Sequence, residues 1–428
     1  MIGEKTQNPE ISVLDVLVPR ALLASGNIAI QASVTDEGFC PLKIFLEKGR
    51  ITNILPIKDP KKACLKILLP RFIEPHAHID KAFTWGQFPN LEGTYSGALK
   101  ANYAEHEVRT KNLVVERAKK SLKLAFNNGY RAIRTHIDSL GPGANQIWDA
   151  LIDLQNEWRD LIQLEFVALV PLEYWSTNDG YILAEKVAKA DGCLGGVLLP
   201  PFKVATVRKH LYELFRLSTR FKCGIDLHID ETSKCPAAGL KQLINALTVY
   251  KEQVNITCSH LSNLGLLNPK ELRYFSQQLA SYKVNVISLP LTNSWLLGRQ
   301  GRNSSIERLV APISQLQNEG VNVAIGGDNV QDPWFPGGNF DPISLMTIAM
   351  PITQLCPWYR LGIAPFTTAP ARIMNLKWDG TIGVGSPADF VCLDASNWSE
   401  VLSSGVKRKI IFKGEFLENK SFFLDEKN

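Results

Sequence analysis

The chain of 428 residues has little histidine, only seven, and none of its eight cysteines forms a C-x-x-C pair. Cysteines this far apart announce neither a disulfide framework nor a zinc knuckle, and they read as reduced, mostly buried thiols. No Lys/Arg block sharpens the mild net charge of +5, so nucleic acid is not an expected partner. The sequence has no run of about 18 apolar residues and no apolar N-terminal segment ahead of a cleavage site, which predicts a cytoplasmic protein with no membrane partner. Neither G-x-G-x-x-G nor G-x-x-x-x-G-K-[ST] occurs, and that absence argues against an open nucleotide-binding sheet.

A hydrophobic fraction of 45% is enough for a large core. From about Leu69 to Gly327, short apolar or β-branched runs alternate with longer amphipathic stretches, the rhythm of an α/β protein with a parallel sheet. The strand candidates are Ile67–His78, Ala132–Asp138, Glu165–Pro171, Gly196–Pro200, Gly224–Ile229, Asn255–His260, Asn285–Leu289 and Asn322–Gly326. Helices are expected at Leu113–Asn127, Ala205–Arg220, Leu240–Glu252, Pro269–Tyr282 and Ile306–Gln317. Eight such units predict a (β/α)8 TIM barrel over residues 69–375. Short strands at Ile11–Val18, Asn27–Val34, Lys43–Lys48, Ile51–Pro56, Asp389–Leu393 and Lys409–Phe412 predict a small β-sandwich built from both termini, residues 1–68 plus 376–428.

The histidines then become informative. In Glu74-Pro75-His76-Ala77-His78-Ile79-Asp80-Lys81, at the end of the first barrel strand, His76 and His78 are two apart and face the same side, towards the catalytic mouth. His228, His260 and Asp328 close or follow later strands at the same end. Three imidazoles and one carboxylate, His76, His78, His228 and Asp328, can hold one divalent metal ion and leave a position for water. Imidazole with carboxylate suits zinc or iron.

The runs P-H-A-H-I-D-K, H-I-D-E (228–231), S-H (259–260) and G-G-D-N-V-Q-D-P-W-F-P-G-G (Gly326–Gly338) resemble the amidohydrolase superfamily, specifically its cytosine deaminase branch. The likeness continues through Thr368-Ala-Pro-Ala-Arg-Ile-Met-Asn-Leu and Gly383-Val-Gly-Ser-Pro-Ala-Asp-Phe-Val. It implies metal-dependent hydrolytic deamination of a small cyclic amidine or aminated heterocycle, with water as second substrate. It gives His76, His78, His228 and Asp328 to the metal and makes Asp328 a proton acceptor as well. Glu231 matches the proton shuttle, His260 the histidine that polarises the reacting oxygen, and Trp334 an aromatic wall.

Three departures fall where loops choose the substrate. Where the branch has a glutamine in a Phe-Pro-Gln setting, this chain has Pro171-Leu172-Glu173-Tyr174, and an apolar Leu172 cannot pair with a pyrimidone edge. Glu173 or Tyr174 could take its place, with different complementarity. Asn329 stands for a second aspartate, and the segment Asn293–Arg302 looks short. Cytosine is therefore one candidate substrate among several. A ring-opening amidase of the dihydroorotase or hydantoinase type is the alternative, although the fourth strand offers no bridging lysine inside its end, Lys203 lying just beyond. A non-catalytic metal-binding scaffold is the other. Barrel helices of this class often pack together, so a homo-oligomer stays open. His136 reads as a hydrogen-bonded structural histidine, His106 and His210 as surface residues, Asp80 and Lys81 as a loop pair, and Cys258 as core one layer below His260.

Overall fold

The computed structural model describes residues 12–26, 32–60, 65–141, 143–299, 303–403 and 405–417. Near the N-terminus run β1 (Ser12–Pro19), β2 (Phe39–Glu47), β3 (Arg50–Pro56) and β4 (Lys66–Pro70). They join β13 (Phe390–Leu393), β14 (Arg408–Phe412) and β15 (Glu415–Phe416) in a seven-stranded mixed sheet. The two ends of the chain meet where β4 pairs antiparallel with β13 and parallel with β1. Val16, Val18, Leu42, Ile44, Leu68, Phe390 and Ile411 form its apolar core. Of the expected strand Asn27–Val34, residues 27–31 lie outside the described residues, and 32–34 are not a strand.

The second sheet is the barrel. Its strands are β5 (Phe72–Ala77), β6 (Tyr130–Asp138), β7 (Gln163–Leu169), β8 (Cys193–Leu198), β9 (Gly224–Ile229), β10 (Ile256–His260), β11 (Asn285–Ser288) and β12 (Val323–Ile325), neighbours in chain order. The pairs from β6 to β12 are parallel. The barrel closes where the Asp328 N–H, just past β12, donates to the His76 carbonyl at 2.9 Å.

Amphipathic helices follow the strands. In order they are α1 (Tyr95–Val108), α2 (Lys111–Asn128), α3 (Ala144–Trp158), α4 (Asn178–Lys189), α5 (Val204–Phe221), α6 (Ala238–Val249), α7 (Pro269–Ser281), α8 (Pro290–Leu296) and α9 (Ile313–Asn318). In α3, Ile147, Trp148, Leu151, Leu154 and Trp158 form the buried stripe, at the three- and four-residue spacing that a sheet-facing helix needs. None of the described helices is long and apolar enough to cross a membrane.

Two expectations change in detail. The run Ile67–His78 is two strands, because Arg71 leaves the line. Its N–H donates to the Asp389 carbonyl and its guanidinium to the Asp389 carboxylate, so β4 stays with the terminal sheet while β5 begins the barrel. The helix expected at Ile306–Gln317 is only α9, since Pro312 precedes its first turn and Ile306 is fully exposed. Backbone contacts group the described residues up to Phe72, 127–129 and those from Leu355 onward into one compact unit. Ile73–Phe126 with Tyr130–Gln354 form the other. The terminal unit thus begins earlier than residue 376 on its C-terminal side.

Candidate active site

β5 supplies the floor of the barrel mouth. Glu74 accepts the N–H of Gly327 on both oxygens at 3.0 Å, the N–H of His76 at 3.1 Å and the hydroxyl of Tyr130 at 3.2 Å. A Cβ at Gly326 or Gly327 would stand 2.9 or 3.0 Å from these oxygens, so the Gly-Gly step is what lets the last strand approach the first. Two residues on, His76 is fully buried with its Nδ1 2.9 Å from Ser259 Oγ. That hydroxyl gives its one hydrogen to Asp226 Oδ1 at 2.8 Å, so it must accept from His76. Nδ1 therefore carries the proton and Nε2 keeps a lone pair.

His78 and His228 join His76 so that one ring nitrogen from each lies within 4.8 Å of the others; His76, His260 and Asp328 form an overlapping group. Asp328 Oδ1 lies 3.3 Å from His78 Nε2 and 3.6 Å from His76 Nε2. His76 Nε2, His260 Nε2, both Asp328 oxygens and the Nδ1 atoms of His78 and His228 are buried with no hydrogen-bond partner. Native proteins rarely leave so many buried polar atoms unpaired in one place. A divalent cation fits this donor set, three imidazoles and a carboxylate.

Electrostatics point the same way. Burial, then the neighbouring imidazoles, hold the His76 ring far below its usual range. Burial, then His78, does so for His228, while burial with the Lys81 charge takes His78 to about 3. All three rings are therefore neutral, the form that binds metal. Burial, reinforced by the Asp328 charge, pushes the Glu231 carboxyl well up, and burial also raises that of Asp328.

Two of these side chains depend on a backbone that breaks strand alternation. His260 has φ +75° and Asp328 φ +62°, the left-handed region. Strand parity places Cys258 below His260, yet it is Thr257 and Ser259 that hydrogen-bond inside the barrel, to Arg134 and Asp226, while Cys258 packs in the core. The turn at His260 brings its ring back to the site, where Asn293 Nδ2 stands 3.0 Å from its Nδ1 and Glu231 Oε1 3.6 Å away. Asn293 belongs to α8 rather than to a loop.

A cavity of about 370 Å³ opens above the cluster, within the usual range for small-molecule sites. His78, His228, Glu231, His260 and Asp328 lie at its base, and Leu172, Glu173, Asn329 and Trp334 are all in its lining. Leu172 is buried and Glu173 exposed. Asn329 Nδ2 donates to Asp332 Oδ2 at 2.8 Å, leaving its Oδ1 as the free atom, so this asparagine can still act as the acceptor an aspartate would be. The Trp334 ring meets Tyr95 edge-on at 5.0 Å. Lys203 is exposed and not in the lining, so no lysine from the end of β8 reaches this cavity.

Some residues differ from expectation. Neither ring nitrogen of His136 has a hydrogen-bond partner; both are buried, and the ring lies 3.9 Å from that of His76. His106 is no bystander, for its Nε2 is 2.9 Å from Asp138 Oδ2 and it lines the cavity. Lys81 and Asp80 are buried: Lys81 Nζ donates to both Asp138 oxygens at 3.0 Å, and Asp80 accepts from Arg109 and from the Asp138 N–H at 3.1 Å. α1 brings Asn102, Tyr103 and His106 to the wall, and no motif in its sequence announces that role.

Comparison with known proteins agrees with this architecture. The profile of the amidohydrolase family matches residues 193–408. A pterin deaminase of Rhizobium rhizogenes is 29% identical over 395 residues, 90% of this chain and 89% of its own length. N-isopropylammelide isopropyl amidohydrolase of a Pseudomonas species is 23% identical over 93% of this chain and 96% of its own. Among solved structures, 5-methylcytosine deaminase from Klebsiella pneumoniae, bound to phosphonocytosine, superposes with a TM-score of 0.77 at 22% identity. That match covers 96% of this chain and all of the other.

Proposed function

The chain belongs to the amidohydrolase family, and from that premise we propose that it deaminates an aminated heterocycle by metal-dependent hydrolysis. The observation that carries this reading is the meeting of Glu231, His260 and Asp328 with three neutral imidazoles at the base of one mostly apolar cavity. His76, His78, His228 and Asp328 would hold one zinc or iron ion. Such an ion supplies Lewis acidity that makes water nucleophilic at neutral pH.

The chain's own groups account for the proton transfers. The Asp328 carboxylate accepts a proton from the attacking water. Glu231, whose carboxyl is pushed well up by burial and by the nearby Asp328 charge, gives its proton to the ring nitrogen and relays the next to the leaving amine. His260, whose Nδ1 accepts from Asn293, presents Nε2–H to the developing oxyanion. The balance is an amidine carbon plus water giving a ring lactam plus ammonia, with the ring closed. A ring-opening amidase is less well supported, because no bridging lysine lines the cavity.

The relative that acts on pterin is 29% identical over most of both chains, so 2-aminopteridin-4-ones head the candidate substrates, ahead of single-ring cytosine. Leu172 offers no amide to a pyrimidone edge, so whichever ring is bound must find that partner elsewhere in the wall. The test is ammonia release and product mass from purified, metal-loaded protein offered aminopteridines, aminopyrimidines, aminopurines and triazines. Turnover no higher than that of His228→Ala for every compound would sink the proposal.

A further inference from the structure

The cavity wall contains an amide that the reaction above does not use. Leu172, which stands where the cytosine deaminase branch has a glutamine, is 4% exposed and fixed in the wall; a Cβ at Gly196 would meet its Cδ2 at 2.7 Å. It has no polar atom to offer. Asn102, from α1, lines the same cavity and is nearly buried. Its Nδ2 donates to Asp138 Oδ2 at 3.4 Å, and its Oδ1 is buried with no partner.

The orientation of that amide is set by its surroundings. Asp138 is acceptor-only, and it already takes Lys81 on both oxygens and His106 on Oδ2, so the nitrogen of Asn102 must face it. α1 itself is held firmly. Thr94 caps its N-terminus through the Gly97 N–H at 3.0 Å, and Arg109 ties its end to Glu105 at 2.6 Å and to Asp80 at 3.1 Å. A rigid helix thus sets beside the cavity one acceptor without a partner and, on Nδ2, a hydrogen that Asp138 does not take, the complement of an adjacent N–H and C=O.

We propose that Asn102 is the specificity-determining residue of this site, reading the lactam edge of a heterocyclic substrate in place of the amide that Leu172 lacks. The reader has moved from the end of β7 to a helix over the barrel mouth. This inference rests on the deaminase reading for the identity of the ligand, and it deepens that reading by naming the edge recognised.

The experiment uses the full metal-loaded chain, with Asn102→Leu and, should that variant melt early, Asn102→Ala. Three probes separate the roles: 2-aminopteridin-4-one as substrate, pteridine-2,4-dione as its deamination product for direct binding, and 2-amino-4-methoxypteridine, which lacks the lactam edge. Loss of the amide is expected to raise KM for the first and weaken binding of the second by about tenfold or more, with kcat little changed. The methoxy compound should not respond. Equal losses for lactam and methoxy compounds, or no loss for either, overturn the proposal. A wild-type protein that binds the dione but deaminates nothing ends the deaminase reading and leaves the binding arm to judge Asn102. One that neither binds nor turns over any of the three overturns the assignment of Asn102, while the deaminase reading falls only when the aminopyrimidines, aminopurines and triazines also go unprocessed.

Discussion

Glu74 holds the backbone N–H of Gly327 between its two carboxylate oxygens, each at 3.0 Å, and so fastens the first barrel strand to the last. His76 and Asp328 each lie within two residues of one of these partners. A single buried carboxylate therefore sets the spacing of two of the four residues that would hold the metal.

Glu74→Ala leaves the N–H groups of Gly327 and His76 and the Tyr130 hydroxyl without that acceptor. Each buried, unpaired group costs about 1–3 kcal/mol, so a loss of several kcal/mol in unfolding free energy is expected. Glu74→Gln, which keeps an acceptor oxygen, should lose clearly less. Denaturant titration of the two variants decides it, and equal stability of all three proteins would show the clamp to be inert.

Ser259 touches no substrate, yet it fixes which nitrogen of His76 is protonated. Ser259→Ala removes the acceptor at Nδ1 while leaving the packing nearly unchanged. Metal affinity is expected to fall about 10- to 100-fold, the usual effect of losing a group that orients a ligand. Competition against a chromophoric chelator measures it, and unaltered affinity would refute the relay from His76 through Ser259 to Asp226.

Glu231 stands apart from the group that would hold the metal and acts on protons. Glu231→Gln should keep full metal content by elemental analysis while kcat falls about 10²- to 10⁴-fold. Loss of metal along with activity would mean that this carboxylate is a ligand and not a shuttle.

The charged network behind the cavity wall has a signed dependence on pH. Burial alone would raise the Asp138 carboxyl, but Lys81, the His106 hydrogen bond and Arg109 outweigh it and hold the group well below its usual range. A carboxyl depressed on folding contributes stability above its unfolded pKa, about 3.9, and loses it as pH falls towards the folded value. Wild-type unfolding free energy should accordingly drop below about pH 4. Asp138→Asn should be less stable at pH 7 and show a flatter acid limb; an unchanged acid limb would count against the network.

The parts legible in the sequence share one property: each is a short motif at a strand end, where alternation and chain order already decide which way a side chain faces. His76, His78, His228, Glu231 and Asp328 are of this kind, as is the barrel itself. What stayed hidden depends on pieces that meet only in three dimensions. Asn102 and His106 matter because the chain after β5 folds α1 back over the mouth, and the polar residues of α1 look like any solvated helix face until Asp138 is beside them. The part that Ser259 plays is hidden for a local reason. Parity counted back from His260 selects Cys258, but the left-handed turn at His260 shifts the count by one.

That same turn leads to the sharpest test of the mechanism, at Asn293. Its Nδ2 donates to His260 Nδ1 at 3.0 Å, which makes Nδ1 the acceptor and puts the ring proton on Nε2, facing the site. Asn293→Asp keeps the size of the side chain but reverses the hydrogen bond, because a carboxylate can only accept. The proton then moves to Nδ1, Nε2 turns a lone pair towards the developing oxyanion, and a stabilising donor becomes a repulsive group. Removing one such donor typically slows an acyl-transfer enzyme about 10²- to 10³-fold, and reversing it should do at least as much to kcat here, with KM and metal content nearly unchanged. Nitrogen-15 chemical shifts of the His260 ring would report the tautomer directly in each protein. A variant in which the proton has moved but kcat has not would show that His260 does not act through Nε2–H.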